Sequence, residues 1–341
     1  MLFPPTIAGS LPKPSWLAET EKLWPKWKLE GEQLDSAKRD AALIWIKEQE
    51  DSGIEIVSDG EQFRTHFVHG FLETVEGIDW QLMTRMGIRN NRYEADVPTV
   101  TGALKRRGPI HRDQAAFCRA HTTKRLKFTL PGPMTICDTL ADTHYGRRAD
   151  MAMAFAEILN DEALELEAAG VDTIQFDEPA FNVFMDEVND WGIAALERAA
   201  RGLRCTTAVH ICYGYGIEAN LKWKETLGAE WRQYEAIFPA INASSIRQVS
   251  LECANSRVPI SLIGLLPDKQ LLVGAIDVAS NTIETPEQVA ATIDAALKHA
   301  DAERIYPCTN CGMAPLSRNV ASAKLRALGA GAALARERMR D

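Results

Sequence analysis

The stretch MAMAFAEILNDEALELEAAGVDTIQFDEP (residues 151–179) predicts a helix that leads directly into a buried strand. In its first part, apolar residues recur at helical spacing: Phe155, Ile158, Leu159 and Leu166. Gly170 then stands where such a helix would end. The run DTIQFDEP (172–179) that follows is short and apolar and finishes in acidic residues. Helix and strand in this succession form the repeating unit of a parallel sheet.

The same alternation continues along the whole chain. Extended runs are predicted at residues 6–12, 54–61, 98–104, 126–133, 172–179, 206–214, 248–254, 271–277 and 304–312. The run at 98–104 lies among polar and basic residues, so we assign it to a hairpin excursion near residues 85–110. Eight βα units remain, which predicts an α/β fold: a (β/α)8 TIM barrel formed as a single domain by residues 1–341. A doubly wound open sheet is the alternative, but no GxGxxG motif follows an early strand to favour it.

Composition excludes several classes of protein. The 341 residues are 46% hydrophobic and 25% charged, as is usual for a soluble globular protein, and the net charge of -9 argues against nucleic-acid binding. No apolar run approaches the roughly 20 residues of a membrane helix, and the N-terminal residues lack the pattern of a signal peptide. Seven widely spread cysteines argue against a disulfide framework. We therefore expect a cytoplasmic protein with reduced thiols and without nucleic-acid or membrane partners.

Polar and ionisable side chains collect where the apolar runs end. These residues are Ser10, Asp59, Glu61, Asp177, Glu178, His210, Cys212, Glu252, Asp277 and Cys311. The carboxyl ends of the strands of a barrel surround one mouth, which is where the active sites of this fold lie. We therefore expect the functional site to be built from this set.

The segment VHICY (209–213) raises the question of a metal site. In a strand, His210 and Cys212 would point to the same face, and Glu252 and Cys311 add a carboxylate and a second thiol from later strand ends. Mixed imidazole, thiolate and carboxylate ligands favour zinc over magnesium or calcium. Two alternatives stay open at this point. Cys308 could replace Cys311, because both belong to CTNC, or the cysteines could be small buried apolar residues without a metal.

Several motifs bear on this choice. HICYG, SLECANSR and TNCG resemble the zinc motifs of the cobalamin-independent methionine synthase family. TIAGSLPKP, SDGEQFR, LPGPMTI and IQFDEPAF resemble further motifs of that family, in the same order and across essentially the whole chain. The resemblance implies a zinc cofactor with four ligands, namely His210, Cys212, Glu252 and Cys311. Cys308 lies outside the family's pattern.

The resemblance also implies a reaction. A zinc-dependent methyltransferase of this kind forms methionine, because zinc holds homocysteine as a thiolate that attacks an electrophilic methyl group. By resemblance, Ser10 binds the carboxylate of homocysteine, and Glu61 and Asp177 bind its ammonium group. Asp277 is retained as a catalytic residue, and Glu252 is the ligand that we expect to give way to the substrate sulfur.

Other residues depart from the family on the side of the methyl donor. The chain matches only the C-terminal, catalytic barrel of the two-barrel members. Thr139 stands near the place of a tryptophan on which the pterin stacks, and Ala279 replaces a proton-donating histidine. We therefore predict that the donor is not the usual triglutamate folate. A monoglutamate folate, another methyl-pterin, or a methylcorrinoid carried by an accessory protein would fit better.

Several alternative interpretations of the sequence remain open. The lost proton donor could be replaced by His66, His69 or His144, and the basic stretch 104–112 could receive an anionic donor or form a solvated hairpin. Glu61 and Asp177 could instead form a structural salt bridge to Arg64 or another basic residue. For the whole protein, the alternatives are a related zinc-thiol alkyltransferase or lyase acting on another thiol, and a non-catalytic protein that binds homocysteine and zinc.

Overall fold

A computed structural model describes residues 1–22 and 25–340. The strands are β1 (Ile56–Val57), β2 (Val75–Ile88), β3 (Tyr93–Arg106), β4 (Arg125–Pro131), β5 (Ala141–Asp142), β6 (Thr173–Asp177), β7 (Thr206–His210), β8 (Gln248–Glu252), β9 (Gln270–Ile276) and β10 (Ile305–Thr309). The helices are α1 (Gly31–Asp51), α2 (His69–Leu72), α3 (Arg112–Ala120), α4 (Pro133–Cys137), α5 (Arg148–Ala168), α6 (Met185–Glu187), α7 (Ile193–Ala199), α8 (Glu218–Glu225), α9 (Gln233–Ala243), α10 (Pro286–Ala296) and α11 (Arg318–Arg338).

Seven parallel strands form one curved sheet in the order β1-β4-β6-β7-β8-β9-β10. Thr6 closes the circle, because it pairs in parallel with Ile56 of β1 and donates its N–H to the carbonyl of Pro307 in β10 over 2.9 Å. The predicted (β/α)8 barrel is therefore confirmed, with the segment around Thr6 in the eighth strand position. The register of β6 and β7 sets Asp177 beside His210 at the carboxyl ends of the strands.

The structure departs from eight regular βα units in two places. Between β8 and β9 the chain forms only a 3-10 helix (Ile260–Leu265), which is preceded by Pro259. Pro267 follows shortly after its end, and proline disfavours the helical conformation of the residue before it, here Leu266, so a longer helix is opposed. The predicted hairpin exists but is longer than expected, because β2 and β3 pair antiparallel from Val75 to Arg106. It leaves the barrel between β1 and β4 and returns its tip to the mouth.

The barrel is held by apolar residues between the sheet and its helices. Phe128, Ile174 and Val209 of successive strands are fully buried and belong to one continuous core with the inner faces of α5 and α11. This rigid frame fixes the strand ends, and therefore the side chains at the mouth, relative to one another. Within the described part of the chain, no helix combines the length and apolar character needed to cross a membrane.

Candidate metal and amino-acid site

Three of the four predicted metal ligands lie together at the mouth. His210 ends β7, Cys212 follows two residues later, and Cys311 lies just after β10. One donor atom from each residue lies within 4.8 Å of the others, all three residues are buried, and the two sulfur atoms are 3.0 Å apart. Cys308, the competing cysteine, instead packs into a small apolar cluster with Ile56 and neighbours. Of the two thiols of CTNC, the structure brings Cys311 to the group.

The imidazole of His210 is oriented as a metal ligand requires. Its Nδ1 forms a hydrogen bond of 2.8 Å with the hydroxyl of Ser250, which fixes the ring. Among residues 1–22 and 25–340, its buried Nε2 has no hydrogen-bond partner. Leaving a buried polar atom unsatisfied is costly, and a hydrogen bond at one ring nitrogen commonly prepares the other for a metal.

The thiols of Cys212 and Cys311 are coupled through a hydrogen bond. A hydrogen bond from Cys311 lowers the pKa of the Cys212 thiol well below its usual range, while the same contact and burial raise the pKa of Cys311. The pair thus behaves as a Cys212 thiolate that accepts a hydrogen bond from the Cys311 thiol. A cation bound here would displace the proton of that thiol, because metal ligation requires thiolates. The group of one imidazole and two thiols suits zinc.

Glu252 is placed differently from its three predicted co-ligands. It ends β8, but its carboxylate accepts hydrogen bonds from Lys224 of α8 over 2.8 Å and from the backbone N–H of Tyr213 over 3.2 Å. It does not join the group of His210, Cys212 and Cys311. Its role as the fourth ligand stays a prediction.

The residues predicted to bind the amino acid line the same cavity as the three ligands. Ser10, Glu61 and Asp177 surround this space together with His210, Cys212 and Cys311. Gln175 donates to one oxygen of Asp177 over 2.7 Å, and Thr129 donates to Glu61 over 2.9 Å. Burial, reinforced by the charge of Glu61 against the opposing effect of His210, raises the pKa of Asp177 to about 7. Two carboxylates that face one cavity form a site for a cation.

Arg64 does not neutralise these carboxylates. Its guanidinium lies 3.7 Å from Asp59 and donates to the backbone and hydroxyl oxygens of Thr129. Within the described residues, neither Glu61 nor Asp177 forms a salt bridge with it. Glu61 also adopts a left-handed backbone conformation, with φ of 60°, which is strained for a residue with a side chain and is commonest at functional sites.

Comparison with known proteins identifies the family of this chain. Residues 3–333 match the family model described as the catalytic domain of cobalamin-independent synthase. The chain belongs to this family. It is 29% identical to the methionine synthase of Sulfolobus acidocaldarius over 341 residues, which cover 99% of this chain and 94% of the relative. The same identity to the methionine synthase of Saccharolobus solfataricus extends over 343 residues, with 99% and 96% covered.

A solved structure is closer to this chain. The B12-independent methionine synthase from Shewanella sp. W3-18-1, in complex with selenomethionine, is 57% identical and covers 100% of this chain. The match covers 99% of that protein, with a TM-score of 0.98. The predicted family and the enzyme class, a methyltransferase of the methionine synthase type, are therefore confirmed. A putative enzyme from Listeria monocytogenes, 17% identical over 97% of each chain with a TM-score of 0.71, shows the same fold.

Two residues that shape the site were missed in the sequence. Tyr215 lines the cavity, and its hydroxyl lies 3.3 Å from that of Ser10. Gly312, directly after Cys311, leaves the room for this pair, because a Cβ at that position would collide with the hydroxyl of Ser10. The glycine in TNCG was the available signal, whereas nothing in the local pattern marked Tyr215.

The tip of the hairpin lines the part of the cavity in which we expect the methyl donor. Arg89, Arg92 and Tyr93 reach it, and the side chains of His66 and Thr139 face them. Burial lowers the pKa of His66 well below its usual range, so this residue is neutral and a weak candidate for the missing acid. The other two candidate histidines do not line this cavity, since His69 lines a neighbouring apolar cavity and His144 is exposed.

Asp277 and the basic stretch 104–112 lie outside this cavity. The carboxylate of Asp277 accepts hydrogen bonds from the N–H of Ala279 and from Asn255, and it lines a separate, open depression. Its predicted catalytic role stays a prediction. Arg106 and Arg107, in the basic stretch, pair with acidic side chains of α5 and β2. This stretch therefore behaves as a salt-bridged hairpin arm.

Proposed function

We propose that this protein forms methionine by transferring a methyl group to the thiol of homocysteine, with zinc as cofactor. The observation that carries the proposal is the juxtaposition of two sites in one cavity. A group of one imidazole and two thiols lies beside a pair of buried carboxylates and a serine, so that a single ligand can reach both. Homocysteine carries a thiol and an ammonium–carboxylate pair at opposite ends and matches this arrangement.

His210, Cys212 and Cys311 would hold the zinc, and Glu252 would complete the set if its carboxylate left Lys224. When bound, zinc supplies a thiolate at neutral pH, because a metal-bound thiol loses its proton. Ser250 keeps the imidazole in the ligating orientation. The free cysteines among the described residues agree with our proposal of a reducing, cytoplasmic location.

The remaining residues orient the substrate. Glu61 and Asp177 would bind its ammonium group, with Gln175 and Thr129 fixing the two carboxylates. Ser10 would receive the substrate carboxylate. Asp277 would contribute by ordering its own loop, because its carboxylate accepts a hydrogen bond from the backbone N–H of Ala279. Holding the sulfur and the methyl group in line removes much of the entropic barrier to a displacement reaction.

For the methyl donor, we propose a monoglutamate methyl-pterin or a methylcorrinoid presented by an accessory protein. Thr139 lines the donor side of the cavity, which supports a donor that does not need the family's stacking tryptophan. Arg92 stacks on Trp223, with its guanidinium carbon 3.3 Å from the ring centre, and donates to Asn220. Within the described chain it has no carboxylate partner, and its Nε is buried without a hydrogen bond. The guanidinium of Arg92, which lacks a carboxylate partner there, favours a donor with an anionic group.

Replacing Arg92 with glutamine is therefore expected to raise the KM for the donor about tenfold, because one charge-assisted contact is lost. The KM for homocysteine should change little. Initial rates with each substrate varied in turn would measure both constants. Arg85→Gln is the matched control, since Arg85 lies on the same hairpin but pairs with Glu94 in solvent. A donor KM unchanged by Arg92→Gln would contradict the role of this residue.

The assay that tests the proposed function is methionine formation by zinc-loaded protein. Homocysteine would be offered with monoglutamate methyltetrahydrofolate or with methylcobalamin, and protein stripped of metal by a chelator would be the blank. We expect methionine from one of the donors only when zinc is present. Methyl transfer to coenzyme M but not to homocysteine would favour the alternative of another thiol. Homocysteine binding without product from either donor would favour the non-catalytic alternative or a required accessory protein.

A further inference from the structure

The ion pair between Lys224 and Glu252 is unusual in its position. Both side chains are almost fully buried, with exposed fractions of 8% and 6%, and their charged atoms lie 2.8 Å apart. Glu252 is a predicted metal ligand, yet its carboxylate faces a lysine ammonium instead of the three remaining ligands. A buried carboxylate needs a cation or several hydrogen bonds, because an unpaired charge in the protein interior is strongly unfavourable.

The site around the ammonium group is built for a cation. Lys224 lies 5.3 Å from the ring centre of Trp231, within the range of a cation–π interaction. The ring of Tyr213 packs against both Trp223 and Trp231 and completes an aromatic wall beside Lys224. Over residues 1–22 and 25–340, Glu252 is the only carboxylate that pairs with Lys224. The lysine is thus held in place by features other than its partner.

We propose that Lys224 is a positioning residue that competes with the metal for the carboxylate of Glu252. The inference rests on the proposed function and deepens it. The carboxylate of Glu252 would have two alternative partners, the metal and the ammonium group of Lys224. While the carboxylate is paired with Lys224, the fourth ligand position of the metal site, beside His210, Cys212 and Cys311, would be open to the thiol of the substrate.

This arrangement makes two opposed predictions about affinity. Ligation by Glu252 separates it from Lys224 and leaves a buried ammonium without its partner, so the lysine should weaken zinc binding. Entry of the substrate sulfur releases Glu252, and Lys224 then receives the carboxylate, so the same lysine should strengthen homocysteine binding. A side chain that only supported the fold would not shift the two affinities in opposite directions.

The test compares the wild type with Lys224→Met, which removes the charge and keeps an apolar stem. Zinc affinity would be measured by competition with a chromogenic chelator, and homocysteine affinity by calorimetry on zinc-loaded protein without a methyl donor. We expect zinc to bind at least tenfold more tightly and homocysteine at least tenfold more weakly. Lys222→Met is the matched control, because Lys222 lies on the same helix but pairs with Glu218 in solvent, and it should change neither affinity.

Equal or weaker zinc binding in Lys224→Met, or unchanged homocysteine binding, would overturn the proposal. Lys224→Gln serves as a second variant if the methionine variant does not fold, since glutamine retains a hydrogen-bond donor to Glu252 without the charge. Lys224→Gln should also tighten zinc binding and weaken homocysteine binding, but by smaller factors. A change of both affinities in the same direction would count against the inference. A wild-type protein that bound no zinc would refute the proposed function itself, whereas methionine formation without the opposed shifts would refute only the role of Lys224.

Discussion

Replacing Cys311 with serine is expected to abolish methionine formation and to weaken zinc binding by about 10²–10³-fold. Structural zinc sites with four ligands bind with about 10–16 kcal/mol, so one ligand accounts for roughly 3–4 kcal/mol. A serine hydroxyl ionises far less readily than a thiol and is a poor replacement. The change also replaces the S–H donor whose hydrogen bond lowers the pKa of Cys212. Both thiols of the group are therefore affected by a single substitution.

Cys308→Ser is the matched control for this experiment. Cys308 precedes Cys311 by three residues and is equally buried, but it packs among apolar residues instead of joining the candidate ligands. We expect this variant to lose some stability while it keeps its zinc and its activity. Zinc content after dialysis and the rate of methionine formation would be compared for both variants. Loss of zinc in Cys308→Ser with zinc retained in Cys311→Ser would reverse the assignment of the two cysteines.

The CTNC motif illustrates how far the sequence could lead. Its two cysteines are chemically identical and local pattern could not separate them, although resemblance to the family favoured Cys311. The structure separates them because β10 ends at Thr309. Cys308 is still part of the strand, whereas Cys311 follows in the turn at the mouth. A boundary of one or two residues at a strand end thus decides which thiol is available, and such boundaries are the least certain part of a sequence-based prediction.

The strands of the barrel were predictable because short apolar runs with acidic or polar ends alternate with helical periodicity, whereas β2 and β5 lay outside the predicted runs. The sequence pattern did not reveal which distant segments contact one another. Lys224 reaches Glu252 from a helix 28 residues earlier, and nothing in the pattern around either residue indicates the contact. Tyr215 meets Ser10 across 205 residues of sequence. Contacts of this kind depend on how the barrel closes, and the short segment around Thr6 closes it by contacting both Ile56 and Pro307.

The second large effect is expected at Asp177. Asp177→Asn should weaken the binding of L-methionine about 30- to 1000-fold, because removal of one partner of a buried charge pair commonly costs about 2–4 kcal/mol. L-Methionine is a suitable ligand for this measurement because its thioether does not have to lose a proton. Calorimetry on the zinc-loaded protein would give the affinity. The residual affinity in the variant would report on Glu61 and Ser10, which line the same cavity.

The same carboxylate predicts a pH dependence. Burial raises the pKa of Asp177 to about 7 in the ligand-free protein, so the group is charged above that pH and neutral below it. Only the charged form attracts the ammonium group of the ligand. The affinity for L-methionine should therefore fall as the pH drops through 7, by about 20- to 30-fold between pH 7.5 and 5.5, and its slope should reach the limit of about tenfold per pH unit only well below pH 7. In Asp177→Asn this dependence should disappear.

Glu178 is the group most easily confused with Asp177 in this experiment. Burial raises its pKa to about 7 as well, but its carboxylate accepts the backbone N–H groups of Met134 and Thr135 at the start of α4. Glu178→Gln should therefore keep the pH dependence of methionine binding. The analogue 4-methylthiobutanoate, which lacks the ammonium group, should bind weakly and without this dependence in all variants. A dependence that persisted in Asp177→Asn but vanished in Glu178→Gln would assign the titrating group to Glu178 and leave Glu61 as the principal partner of the ammonium group.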